Sequence, residues 1–255
     1  MTPTTVPGRV EQYLEAQLAR GPIHFTLIDP DKSRGREAAS VAKGAAQLGS
    51  HAILLGGSTG ISRDVMGEAA RAIREAVTLP TIIFPEGPGS LTPEADAVLF
   101  MSLLNSRNLD LVIRTHARSA LTVRKMGLEA IPMGYLVVAP GMRVGEVGAV
   151  DPVPREDLAG ATGYALAAEL LGMRFVYLEA GSGAPSPVPA PMVRAVRDTV
   201  KIPVIVGGGI RSGAEARALL DSGADVLVTG TITEEEGLGA SFHGILEEVR
   251  RARQR

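Results

Sequence analysis

Eight short apolar runs, nearly all without polar alternation, punctuate this chain at residues 23–28, 52–55, 81–84, 97–101, 130–138, 175–178, 204–206 and 226–228. Strands with one wet face alternate apolar and polar residues. Continuous runs belong to parallel strands covered on both faces. Helical patterns lie between them at 36–48, 63–76, 109–126, 155–171, 191–200, 214–222 and 242–253. Ser212-Gly-Ala-Glu215 reads as a capping box opening one of these helices, and Gly49 and Gly223 sit where helix C-caps belong. Strand and helix alternating along 255 residues match the size of an eight-fold β/α barrel. The expectation is one domain spanning residues 1–255: a single (β/α)8 TIM barrel of the phosphate-binding type.

One unit breaks the pattern. Between the third and fourth runs lies only Pro85-Glu-Gly-Pro-Gly-Ser-Leu-Thr-Pro-Glu-Ala-Asp96. Three prolines and two glycines in that stretch rule out a normal covering helix. The third outer helix is therefore expected to be missing or replaced by a loop. The gap would leave apolar surface bare, to take an elongated apolar ligand or to be sealed by a second subunit.

Composition narrows the function. The formal net charge of −2 and 4% aromatic residues give nucleic acid neither an electrostatic footprint nor a stacking platform. The absence of cysteine excludes disulfides and thiolate chemistry. The first nine residues hold no apolar leader segment, and no apolar stretch is long enough to span a membrane. The expected location is the cytoplasm. The Arg-rich end, Arg250-Arg-Ala-Arg-Gln-Arg255, reads as a solvated helix end, with peripheral contact to anionic lipid as the lesser alternative. The four histidines, at 24, 51, 116 and 243, show no metal-binding spacing and read as structural or surface residues.

Barrel chemistry sits at the C-terminal ends of strands, so each candidate follows an apolar run. Three Gly-rich turns, Tyr177-Leu-Glu-Ala-Gly-Ser-Gly183, Gly207-Gly208-Gly209 and Gly230-Thr231, follow the last three runs. Glycine lets backbone N–H groups approach an anion, and the loops after strands seven and eight are where barrels of this type hold phosphate. Close strand-to-helix packing, which also calls for glycine, is the competing explanation. Glu179 ends the sixth run beside this cup and could accept a proton from a hydroxyl of a phosphorylated polyol. Tyr177 lies on the same strand face and either orients that ligand or fills the barrel core. Asp29, held at the mouth by Pro30, suits Mg²⁺, which favours one or two carboxylates plus phosphate oxygens and water, over the competing reading that it caps the following helix with Asp31 and Lys32. Ser58, in the loop after the second run, could join the same ion or a diphosphate.

The segments Leu27-Ile-Asp-Pro-Asp-Lys32, Gly56-Gly-Ser-Thr-Gly60, Phe100-Met-Ser-Leu-Leu-Asn-Ser-Arg-Asn108, Tyr177-Leu-Glu-Ala-Gly-Ser-Gly-Ala184, Gly207-Gly-Gly-Ile-Arg-Ser212 and Gly230-Thr231 together resemble the geranylgeranylglyceryl phosphate synthase family, from about residue 22 to residue 237. Within it the chain looks like the larger subgroup carrying the Phe100 to Asn108 segment. The resemblance implies transfer of a polyprenyl group from its diphosphate to the C3 hydroxyl of sn-glycerol 1-phosphate, the first ether bond of ether-linked membrane lipids. It implies Mg²⁺ at Asp29 and Ser58, and glycerol 1-phosphate at Tyr177, Leu178, Glu179, Ala180, Gly181, Ser182, Gly183, Gly208, Gly209, Gly230 and Thr231. By that resemblance the prenyl chain would use the groove left by the missing helix. Glu179 and Tyr177 are the expected catalytic residues, and the uncovered wall and apolar helices favour association into homo-oligomers. The chain departs from the family at Phe84-Pro-Glu-Gly-Pro-Gly-Ser90, where Phe-Pro-Gly-Asn is expected, so Glu86 puts a charge near the donor path. Two other readings share the phosphate cup: a sugar- or polyol-phosphate isomerase, and a non-catalytic prenyl-phosphate binder.

Overall fold

A computed structural model describes residues 7–57 and 60–254. Eight parallel strands close into a barrel in sequence order: β1 (Ile23–Ile28), β2 (Ala52–Gly56), β3 (Thr81–Phe84), β4 (Ala97–Leu103), β5 (Glu129–Val137), β6 (Phe175–Glu179), β7 (Val204–Gly207) and β8 (Val226–Thr229). The seam is β1 against β8, with Phe25 opposite Val228 and Thr26 opposite Thr229. The barrel expected from the apolar runs is therefore present, and the strand ends fall within two residues of the predicted ones.

The helices are α1 (Arg9–Leu18), α2 (Gly35–Leu48), α3 (Arg63–Ala76), α4 (Thr115–Met126), α5 (Met142–Val147), α6 (Leu158–Leu170), α7 (Ala190–Thr199), α8 (Gly213–Asp221), α9 (Thr231–Glu235) and α10 (Ala240–Ala252). Ser62, Asp157 and Ser212 each cap their helix by accepting a backbone N–H with the side chain. Asp157 also explains why α6 starts later than the predicted stretch at 155. The predicted 109–126 helix is two pieces: a π-helical turn, Asp110–Arg114, leads into α4.

The alternating pattern gave no sign of α1. It lies ahead of β1, and the Glu129 carboxylate anchors it by accepting the N–H groups of Val10 and Glu11 at 2.7 Å each. A carboxylate at a helix N-terminus satisfies orphan donors and opposes the helix dipole.

Two apolar layers result. Inside the barrel lie Phe25, Leu54, Ile82, Leu99, Ile131, Met133, Tyr135, Tyr177 and Ile205. Outside it, the opposite faces of the same strands pack on the helices through Ile53, Leu55, Ile83, Val98, Leu136, Val176, Leu178 and Val206. Each strand is buried on both sides, the physical origin of the uninterrupted apolar runs. Between β3 and β4 there is only a 3₁₀ turn, Pro88–Ser90, so the third covering helix is absent as expected.

Candidate active site

Glu179 is the last residue of β6 and points into the barrel mouth, where it is 6% exposed. Its Oε1 accepts the N–H of Gly181 at 2.6 Å, and its Oε2 accepts the Tyr135 hydroxyl at 3.0 Å. Tyr177 also donates to it. Burial pushes the Glu179 carboxyl above its ordinary pKa, and these three hydrogen bonds pull it back down. The same burial, with the carboxylate's charge beside it, raises both phenols well above their usual value, so they remain protonated donors.

The two tyrosines face each other across paired strands, with ring centroids 4.9 Å apart, and Phe84 closes on both edge-on. Tyr177 is thus at once a core side chain and a partner of Glu179. Tyr135 is the member of this group that sequence reasoning missed. It sits inside a long apolar run, and its one signal was a phenol in the middle of a strand.

Glycine makes the arrangement sterically possible. A Cβ on Gly207 would lie 1.9 Å from the Tyr177 hydroxyl, and one on Gly208 would lie 2.2 Å from the Glu179 Oε1. Gly208 also has φ of +79°, a conformation that side chains with a Cβ rarely adopt. The packing explanation for these glycines therefore holds for Gly207 and Gly208, alongside any role in binding.

The three Gly-rich turns meet in a cavity of about 50 Å³ lined by Ser182, Gly183, Gly208, Gly209, Gly230 and Thr231, together with Tyr177, Glu179 and Arg211. The Ser182 and Thr231 hydroxyls are 2.8 Å apart and tie the first turn to the third. Arg211 brings a positive charge to this corner and pairs with Glu235 at 2.9 Å. Of the other expected binding positions, Leu178 and Ala180 direct their side chains into the outer apolar layer and line neither cavity, and Gly181 contributes its N–H to Glu179.

A larger cavity, about 390 Å³, shares Tyr177, Glu179, Ser182, Gly230 and Thr231 with the small one. It takes in Asp29 and Tyr135 at the mouth and continues beside the missing helix. There its walls are Leu91, Val98 and Phe100 on one side and His116, Ser119 and Val123 of α4 on the other. An apolar slot thus opens next to the small cavity ringed by the three Gly-rich turns.

Asp29 is 4% exposed at the end of β1, with Oδ1 accepting the Asp31 N–H at 3.0 Å and Oδ2 3.9 Å from the Lys32 ammonium. Among the described residues no cluster of three or more His, Cys, Asp or Glu could hold a metal ion. A cation at Asp29 would rely on one carboxylate, with ligand oxygens and water completing its shell, a donor set that suits Mg²⁺. Ser58 lies outside the described residues. Glu86 lines the large cavity, and its Oε1 accepts the N–H of Gly60 at 2.7 Å, so one of its oxygens is engaged by the β2 loop.

The PcrB family model matches residues 14–249. The geranylgeranylglyceryl phosphate synthase of Methanothermobacter thermautotrophicus is 50% identical over 226 residues, covering 89% of this chain and 92% of that one. The enzyme of the same name from Pyrococcus horikoshii is 49% identical over 228 residues, covering 89% and 90%. The crystal structure of (S)-3-O-geranylgeranylglyceryl phosphate synthase from Thermoplasma acidophilum, in complex with its substrate sn-glycerol-1-phosphate, superposes with a TM-score of 0.91 at 43% identity. That superposition covers 97% of this chain and all of the other.

Proposed function

The chain belongs to the PcrB family, and on that footing we propose that it is a prenyltransferase joining a polyprenyl group, geranylgeranyl or a close homologue, to the C3 hydroxyl of sn-glycerol 1-phosphate. The observation that carries this reading is the junction of two unlike cavities at Glu179. One is ringed by Gly-rich turns, with Ser182, Thr231 and Arg211 at hand, and suits a phosphate. The other is a long apolar slot for which an isomerase of small sugar phosphates has no use.

The Gly208-Gly209 and Gly230-Thr231 turns, with Ser182, hold the acceptor phosphate and turn its hydroxyl toward the slot, an orientation effect. The prenyl chain lies along Val98, Phe100, Ser119 and Val123 and leaves its diphosphate at the mouth. The allylic C–O bond breaks, and its electron pair departs with the diphosphate. The acceptor oxygen bonds to the freed allylic carbon, and its proton passes to the Glu179 carboxylate. Tyr135 and Tyr177 hold that carboxylate in place. Asp29 would hold Mg²⁺, which when bound neutralises charge on the diphosphate.

The test is incubation of the protein with labelled sn-glycerol 1-phosphate, Mg²⁺ and a series of prenyl diphosphates, followed by butanol extraction. Label in the organic phase is expected; its absence at every chain length would overturn the reading. Asp29→Asn should flatten the Mg²⁺ dependence of turnover, and a wild-type Mg²⁺ titration in that variant would remove the metal from Asp29.

A further inference from the structure

The large cavity poses a charge problem. Its mouth carries the carboxylates of Asp29, Glu86, Glu179 and Glu234, yet the proposed donor brings a multiply charged anion to the same place. Among the described residues lining this cavity, Lys32 and Arg143 are the two that carry a positive charge. Lys32 follows β1 in the loop that holds Asp29. Arg143 stands in the first turn of α5, and Gly141 sets that turn with φ of +75°. The two therefore approach the mouth from different loops.

Lys32 does not meet Arg143 unopposed. Its ammonium is 2.6 Å from the Glu234 Oε2, and that hydrogen bond raises its pKa, while the nearby Arg143 charge acts in the opposite direction. Glu234 belongs to α9, the helix that begins at Thr231 of the phosphate cup. One carboxylate is thus paired with Lys32, in a position an anionic ligand oxygen could take, and Arg143 lines the same cavity.

We propose that Lys32 and Arg143 form a cationic clamp for the donor's diphosphate, and that Glu234 occupies Lys32 until the diphosphate displaces it. The proposal rests on the prenyltransferase reading above. Paired cations favour the departing diphosphate as charge builds on it, beyond what one metal ion neutralises. The exchange at Lys32 also keeps the ammonium ordered in the empty protein, which lowers the ordering cost when the donor binds.

Calorimetric titration with inorganic pyrophosphate, with and without Mg²⁺, tests the clamp directly, with sn-glycerol 1-phosphate titrated in parallel. Lys32→Gln and Arg143→Gln should each weaken pyrophosphate binding roughly tenfold or more while acceptor affinity stays within about twofold. Glu234→Gln should do the opposite and tighten pyrophosphate severalfold, a gain that loosened packing cannot mimic. The double variant Lys32→Gln/Glu234→Gln should lose that gain, because the two residues act as a pair. Wild-type pyrophosphate affinity in Arg143→Gln, or unchanged or weaker affinity in Glu234→Gln, would overturn the clamp. A wild-type protein that neither binds pyrophosphate nor forms extractable product would instead overturn the prenyltransferase reading beneath it.

Discussion

At Glu179, burial and hydrogen bonding pull the carboxyl in opposite directions, and the balance leaves its pKa raised. The carboxylate form is the one that accepts a proton, so the rate should fall as pH drops through that raised pKa. The acid limb of kcat/KM should lie above the ordinary carboxylate range. Tyr135→Phe removes one of the bonds that favour the ionised form, so in that variant the acid limb should move to higher pH. A pH–rate profile of the two proteins reads this directly, and an unmoved limb would separate Tyr135 from the proton transfer. Glu179→Gln should lower turnover by about a hundredfold or more while glycerol 1-phosphate still binds. Gly207→Ala should cost on the order of tenfold to a hundredfold, because the new methyl takes the place of the Tyr177 hydroxyl. Legibility differs sharply among these residues. The place of Glu179 at the mouth was legible because a charged residue ending an apolar run has few structural uses, whereas Tyr177, two residues earlier on the same strand face, read equally well as a core side chain. Tyr135 was not, because a strand buried on both faces carries no marking of which residues face inward.

The elements around β3 and β4 decide what else can enter. Prolines and glycines made the absence of a helix after β3 legible, because both block helix propagation for backbone reasons. The stapling of the neighbouring wall was not legible. Asn105, buried in the segment that follows β4, donates to the Val137 and Asp151 carbonyls and accepts the Val137 N–H. Ser106 donates to the Gly148 carbonyl at 2.6 Å. These bonds fasten the end of β4 to β5 and to the loop after α5, an arrangement no local periodicity announces. The short helices α5 and α9 escaped for a related reason: five or six residues span too few turns to show a helical period. Ser119 is 6% exposed on α4 and lines the slot. Ser119→Phe should therefore cut off long donors first. Turnover with geranylgeranyl diphosphate should fall well below that with geranyl diphosphate, and an unchanged ratio would place the chain elsewhere. The stability cost of the added ring should be about 1–3 kcal/mol.

The whole molecule depends on closing β1 against β8. His24 lies between the barrel and α10 with its ring edge-on to Phe242; its Nε2 is 2.9 Å from the Thr229 hydroxyl, and its Nδ1 is 3.2 Å from Ser50. Full burial lowers its pKa to about 3, and burial together with Arg253 lowers that of His51 to about 4. A histidine with a depressed native pKa binds its proton more readily in the unfolded chain, so its contribution is intact above about pH 6.5 and lost as pH falls toward the native value. Acidification from pH 7 to pH 4 should cost roughly 3 kcal/mol through His24 alone. Thermal melts across that range should show a steep fall in Tm, and a shallower one in His24→Gln. The apolar runs announced the barrel itself because each strand is covered twice. The His24 network stayed hidden because its members lie far apart in the sequence. The open side of the barrel has one further consequence. The product of the proposed reaction would keep the donor's long tail but lose the diphosphate that made the donor soluble. On the proposed reaction it would be an amphiphile with its hydrocarbon in the lateral slot and its phosphate at the Gly-rich turns. Water is a poor destination for such a molecule. Late turnovers should therefore be paced by how readily a second hydrocarbon phase receives it, and detergent micelles or vesicles added to an assay should quicken the steady state while leaving the first turnover unchanged.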